Sequence, residues 1–298
     1  YMAYKVFGSR VLKFLKHIED DGLTRARLPL SEPYYYGNRI PLERLLFAPD
    51  IDHLDCEPAV RRASESFEGS NCAILRNDTF NLFFKYGHQT RSHAHPDKMN
   101  VEIMVKGKVL TKDLSNSGYA SRMCNLWHRR IAAHNTCIVN GKETDIQRVG
   151  RLLEYSDNHV KAEAQAYEGV VYERSLGLFG SRIEDSFTVK CEEEAVIDWL
   201  FHFETEVDRQ GLTLLRDCEE EGLFSEHGAV MEVHRVDTKG LETLTISNEL
   251  VDMELYLEPG ARVYLAKTYN NPSDRLRDTV LIRKQGKQAV FAETIRAK

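Results

Sequence analysis

The sequence predicts a mainly β protein, an antiparallel sandwich or barrel with a short α-helical segment in front of it. Two observations carry this. From about residue 65 onward the chain consists of short apolar and β-branched runs separated by turn signals. Before that point, apolar residues recur at helical spacing instead. The division read from this change is a helical segment over residues 1–65 and a β domain over residues 66–298.

The elements follow in order. In "YMAYKVFGSRVLKFLKHIEDDG", Val6, Phe7, Val11, Leu12, Phe14, Leu15 and Ile18 share one helical face, and Gly22 supplies a stop. A second short helix is expected over residues 42–47, bounded by Pro41 and Pro49. "CAILRNDTFNLFFKYG" reads as a hairpin turning at Asn77-Asp78, and "MNVEIMVKGKVLTKD" as another turning at Lys106-Gly107. "HNTCIVNGKET" gives a strand ending at Asn140-Gly141. Beyond residue 150, nine further strand-like runs extend from "HVKAEAQAY" to "DTVLIRKQG". "CEEEA" at 191–195 reads as a solvated turn between two of them.

Bulk properties narrow the function. A chain of 298 residues, 42% hydrophobic and 29% charged, can bury a sizeable core. A formal charge of −6 argues against a general nucleic-acid binder. It leaves room for an acidic ligand, because a small basic cleft can sit in an acidic protein. No apolar run reaches the length of a membrane span. No signal peptide is visible, and the start at Tyr1 suggests a processed chain or a fragment. The six cysteines are scattered without a CxxC pair, which points to buried free thiols rather than a zinc ribbon or a disulfide framework.

One stretch stands apart. "HQTRSHAHPDKMN", residues 88–100, holds three of the chain's 11 histidines. In an extended chain residues i and i+2 face the same way, so His93 and His95 can present both rings to one site. Pro96 biases His95 toward that extended conformation. Asp113 ends the following hairpin, and His134 stands just before the next strand. A His/His/Asp set with an open position suits Zn²⁺ or another first-row metal. The alternative is that His134 is a hydrogen-bonded strand-end histidine and Asp113 a turn former. Residues 114–142 contain no Asp or Glu but carry Arg122, Arg129, Arg130 and Lys142. With Arg91 upstream they form either a solvated basic face or a cleft for carboxylated or sulfated ligands. Tyr119 lies within this stretch, where nearby positive charge would favour its phenolate and suit it to acid–base work.

"SHAHPDKMNVEIMVKGKVLTKDLSNSGY" followed by "WHRRIAAHNTCIVNGKE" resembles the heparinase II/III-like polysaccharide lyases, whose relatives include oligoalginate and heparan-sulfate lyases. The match is strong over about residues 70–145 and weaker in the rest, where strand pattern and "WLFHFE" carry it. The resemblance implies a large antiparallel β-sandwich, with the helical segment as the end of an (α/α) toroid. It implies His95, Asp113 and His134 as ligands of one mainly structural Zn²⁺, His93 as a catalytic-site histidine and Tyr119 as the active-site tyrosine. Arg91, Arg122 and Arg130 are then expected to grip substrate acid groups. The reaction implied is β-elimination on an acidic polysaccharide or oligosaccharide containing uronic acid, in a periplasmic or secreted setting. The family's other catalytic residues come from the toroid, so the isolated chain is expected to depend on that domain for activity. Other expectations stay open: a non-catalytic acidic-carbohydrate-binding domain, a metal-dependent glycan hydrolase, and a homodimer. A nucleic-acid or membrane partner is not expected.

Overall fold

The computed structural model describes residues 63–87, 95–115, 117–118, 120–144, 150–217 and 229–298, together with Leu12. Two compact units divide the chain, Tyr1–Arg62 and Ala63–Lys298. The second is the subject here; apart from Leu12, which is helical, the helices expected at residues 6–18 and 42–47 fall outside the described residues.

A five-stranded antiparallel sheet comes first, in the order β1 (Glu65–Phe67), β2 (Cys72–Arg76), β3 (Phe80–Lys85), β4 (Asn100–Val105), β5 (Lys108–Thr111). Local chemistry sets its turns. Between β2 and β3, Asn77 Oδ1 accepts hydrogen bonds from the Thr79 and Phe80 N–H groups at 2.9 and 2.8 Å, closing the turn without a glycine. Between β4 and β5, Lys106 and Gly107 both have positive φ, 48° and 79°, the mirror-image turn that matches strand twist.

The second sheet has eleven strands: β6 (Cys137–Val139), β7 (Gly150–Ser156), β8 (His159–Tyr167), β9 (Val170–Phe179), β10 (Arg182–Phe203), β11 (Leu214–Asp217), β12 (Val230–Val236), β13 (Thr243–Ser247), β14 (Val251–Tyr256), β15 (Arg262–Tyr269) and β16 (Leu276–Ala297). The long strands β10 and β16 pair with each other and form its spine. The expected turn at "CEEEA" is absent from β10. Instead, Glu192, Glu193 and Glu194 lie exposed inside one continuous strand, where the register with β16 shifts between Lys190 and Ala195. The charged run marks a bulge, not a turn. The neighbour of β10 on its other side changes there, from β9 up to Cys191 to β6 from Ile197.

The sheets pack face to face as a sandwich. Leu75, Phe80, Leu82 and Phe84 from the small sheet meet Val160, Tyr172, Leu176, Phe187, Trp199 and Phe201 from the large one. Beyond the bulge the far face of β10 is covered as well. Leu200, Tyr264 and Leu281 pack there against Leu114, Trp127, Ile131 and Ala133 from the loop between β5 and β6. Residues 197–203 are therefore buried without alternation. Of the cysteines, Cys124 and Cys137 are buried free thiols, whereas Cys72 and Cys191 are free but only half-buried. Cys56 and Cys218 lie outside the described residues.

Arg174 places a charged group inside this core. The Arg174 side chain, with no exposed surface, grips Asp185 through Nε at 2.9 Å and Nη2 at 2.5 Å. Its Nη1 donates to the carbonyls of Met99 at 2.6 Å and Asn135 at 2.7 Å. Replacing Arg174 with Met should destabilise the fold by about 3–5 kcal/mol, because it leaves the Asp185 charge buried and alone. Urea unfolding of the two chains measures this, and a loss under about 1 kcal/mol would contradict the assignment.

Candidate metal centre

Three chain segments deliver the candidate ligands. His95 precedes the turn in which the Asn100 N–H donates to the Asp97 carbonyl, leading into β4. Asp113 lies two residues past the end of β5, and His134 three residues before β6. Thus His95 and Asp113 hang from the small sheet while His134 belongs to the large one.

Asn135 and Thr136 explain how the Ala-His-Asn-Thr segment is held. Asn135 Nδ2 donates to the Val101 carbonyl and to Thr111 Oγ1, at 2.8 and 2.7 Å. Its Oδ1 accepts from the His202 N–H at 2.8 Å, and its own N–H donates to Asn100 Oδ1 at 2.9 Å. Thr136 Oγ1 donates to the Lys98 carbonyl. A buried amide with every bond made fixes its neighbours in one arrangement. Here it joins β4, β5 and β10 directly beside His134.

The result is a tight triangle. His134 Nε2 lies 3.1 Å from Asp113 Oδ2 and 3.2 Å from His95 Nδ1, and His95 Nδ1 lies 3.3 Å from Asp113 Oδ2. His134 Nδ1 donates to the Arg130 carbonyl at 2.8 Å, which leaves Nε2 as the atom facing the triangle. Three acceptor atoms so placed repel one another unless a proton or a cation lies among them. A tetrahedral zinc with bonds of about 2.0–2.1 Å spaces its ligand atoms about 3.3–3.4 Å apart, so this donor set fits such an ion. The alternative roles are realised too, by different atoms: Asp113 Oδ1 accepts the Ser115 N–H at 2.5 Å and forms the turn, while Oδ2 faces the histidines.

Electrostatics agree with the geometry. Burial alone would push the His134 imidazole down, but the Asp113 carboxylate lifts it above its ordinary value. Burial would raise Asp113, but His134 and His95 hold it well below the usual carboxylate range. Two other histidines stay neutral. Burial pushes His202 well down, with its Nε2 donating to the Ala132 carbonyl at 3.1 Å. Burial also lowers His128, which donates through Nε2 to the Asn270 carbonyl and accepts from Ser117 Oγ.

Among the other expected site residues, Arg130 Nη1 lies 3.7 Å from Glu143 Oε1, just past the acid-free stretch, and Arg122 is exposed. His93, Tyr119 and Arg91 lie outside the described residues. Asn135, Arg174, Arg277 and His202 support the site without a signal of their own in the motifs above.

The family model described as Heparinase II/III-like, C-terminal, matches residues 59–296. The chain belongs to the heparinase II/III-like family. Solved structures of similar fold include a heparinase III gene product, at 16% identity and a TM-score of 0.60 over 84% of this chain and 38% of that one. A heparan sulfate lyase HepC from Pedobacter heparinus aligns at 12% identity and 0.59 over 80% and 37%. A third, titled heparinase III, aligns at 14% identity and 0.58 over 76% and 35%. The chain thus spans less than two fifths of the length of each. A search among curated proteins finds no match.

The titration of the triangle makes a prediction. His134 is raised above its unfolded value of about 6.5, so without metal it stabilises the fold fully below that pH and loses the contribution as pH rises through the raised value. Asp113 is depressed, so its contribution is present above about 3.9 and disappears only as pH falls through its lowered value. The metal-free chain should therefore lose thermal stability as pH rises from about 6.5 through the raised His134 value. Added zinc should reverse that trend, because metal requires deprotonated ligands. Melting curves with zinc and with chelator check this; identical trends would count against the site.

Proposed function

We propose that this chain is the β half of a polysaccharide lyase that cleaves uronic-acid-containing polysaccharide by β-elimination. The observation that carries the reading is the convergence of His95, Asp113 and His134 within one ligand-sized triangle. Membership of the heparinase II/III-like family supports it. A zinc ion held by these three residues would supply a fixed joint rather than chemistry on the substrate. It would hold His95, and with it the segment that carries His93 two residues before.

In this reading a base removes the proton at C5 of the uronic acid. The C5–H electrons form the C4–C5 double bond, and the C4–O bond breaks with its electrons on the leaving oxygen, which is then protonated. Because the carboxylate is already charged, the developing second charge needs a positioned donor or cation. His93 fills that role. Tyr119 takes the C5 proton as phenolate and returns it to the leaving oxygen. Arg91, Arg122 and Arg130 bind acid groups along the sugar chain, with the remaining catalytic groups supplied by a toroidal domain.

Three measurements test this. Elemental analysis should find about one zinc per chain, and His134→Ala should abolish it; an equally stable wild-type chain without metal removes the ligand assignment. In the complete enzyme, incubation with heparan sulfate, alginate and hyaluronan should yield a product with the ultraviolet absorbance of an unsaturated sugar. Saturated products would mean hydrolysis, and binding without product a recognition domain. His93→Ala should lower the rate at least 100-fold with the fold intact, and retained activity would exclude His93 from the mechanism.

A further inference from the structure

The three ligand atoms sit close together although Asp113 and His134 belong to separate chain segments, and their spacing needs a cause. Arg277, in β16, is buried with its side chain fully covered. Its Nη2 donates to the carbonyl of Ala133 at 2.7 Å and its Nη1 to the carbonyl of Lys112 at 3.3 Å. These are the residues immediately before His134 and Asp113. One rigid guanidinium thus spans the two backbones from which two ligands depart.

We propose that Arg277 is a positioning residue of the metal centre: it fixes the distance between the Asp113 and His134 side chains by bridging the carbonyls that precede them. This rests on the metal reading above.

Three features support it. First, the bridge needs a fork. Lysine carries a single point of donation and cannot hold two carbonyls at fixed separation. Second, the charge is costly where it stands. Burial pulls the guanidinium down to about 10, against Glu204 and Asp113, which favour its charged form. Its Nε finds no hydrogen-bond partner among the described residues. An apolar side chain would fill the same space without that cost, so the two carbonyl bonds are what the arginine adds. Third, its counterion is itself held. Glu204 Oε1 lies 3.6 Å from Nη1, while Oε2 takes Asn270 Nδ2 at 3.1 Å and Lys112 Nζ at 3.3 Å. Lys112 is therefore held at both its carbonyl and its ammonium, next to Asp113.

The test uses the full chain with zinc and cobalt(II) as probes. Arg277→Lys and Arg277→Met should bind zinc about 10–100-fold more weakly in competition with a chromogenic chelator, the range expected when a group supporting a ligand is lost. Their cobalt(II) forms should lose visible absorbance relative to wild type. Arg283→Lys is the control. It lies on the same strand and grips Asp198 through two bonds of 2.7 and 2.8 Å, so its loss weakens the fold without touching the triangle. It should keep wild-type affinity and spectrum. Arg277 variants that match wild type in both readouts overturn the proposal and leave the metal reading standing. A wild-type chain that takes up no zinc overturns both. Should the variants fold only when zinc is supplied, the zinc needed for half-folding reads the same loss, and variants that stay unfolded at saturating zinc overturn the proposal.

Discussion

The arrangement of this domain turns on the burial of Arg174 between its two sheets. A guanidinium in an apolar core is tolerable only when it is neutralised and every donor has somewhere to point. Asp185, across the sheet on β10, supplies the charge, and the face of Phe187 lies 5.0 Å from the guanidinium carbon. Glu293 lies 4.0 Å away. Burial and the neighbouring Asp185 charge push its carboxyl well above the ordinary value, so one anion meets one cation. What remains of the guanidinium reaches the carbonyls of Met99 and Asn135, on the two loops that carry His95 and His134. Met99 holds a left-handed backbone, φ 62°, which a side-chain-bearing residue adopts only at some cost. The Arg174 bond to its carbonyl offsets that cost.

Much of this is legible in the sequence, and the reasons differ by element. Strand β8, and β9 up to Leu176, alternate because one face meets the core and the other is more open. The same alternation contained a signal that went unused: Arg174 falls on the inward register with Val170, Tyr172 and Leu176, and Asp185 falls inward with Ile183 and Phe187. A charged residue at an inward position asks for a partner, and each supplies the other's. His95, Asp113 and His134 were legible through the His-x-His-x-Asp-Lys and Ala-His-Asn-Thr stretches and the family resemblance they carry; residue type alone left Asp113 open as a turn former. Arg277 was not visible in this way. It opens a run on β16, residues 277–282, that is buried on both sides, so no alternation marks which way a side chain points. The bulge in β10 was misread because three glutamates in a row look the same in a turn and on an exposed bulge; only the partner strand tells them apart.

The far side of β10 shows why the candidate centre lies where it does. The connection between β5 and β6 folds over the large sheet beyond the bulge, burying Trp127 and Ile131 against Leu200 and Leu281. Trp127 Nε1 donates to the Tyr269 carbonyl at 2.9 Å, and Asn271 Nδ2 to the Leu114 carbonyl at 2.7 Å, pinning the loop at two points. A loop anchored by apolar burial and by backbone hydrogen bonds can present Asp113 and His134 with little freedom left in either.

Two ligands hang from one sheet and the third from the other, and this has a thermodynamic consequence. A cation bound there is taken up by the folded chain and released on unfolding, so by mass action it contributes a free energy that grows with the logarithm of its free concentration, about 2.7 kcal/mol at a hundredfold excess over Kd. With metal bound there, the cohesion of the two sheets would be set partly outside the polypeptide, by how much metal its surroundings hold.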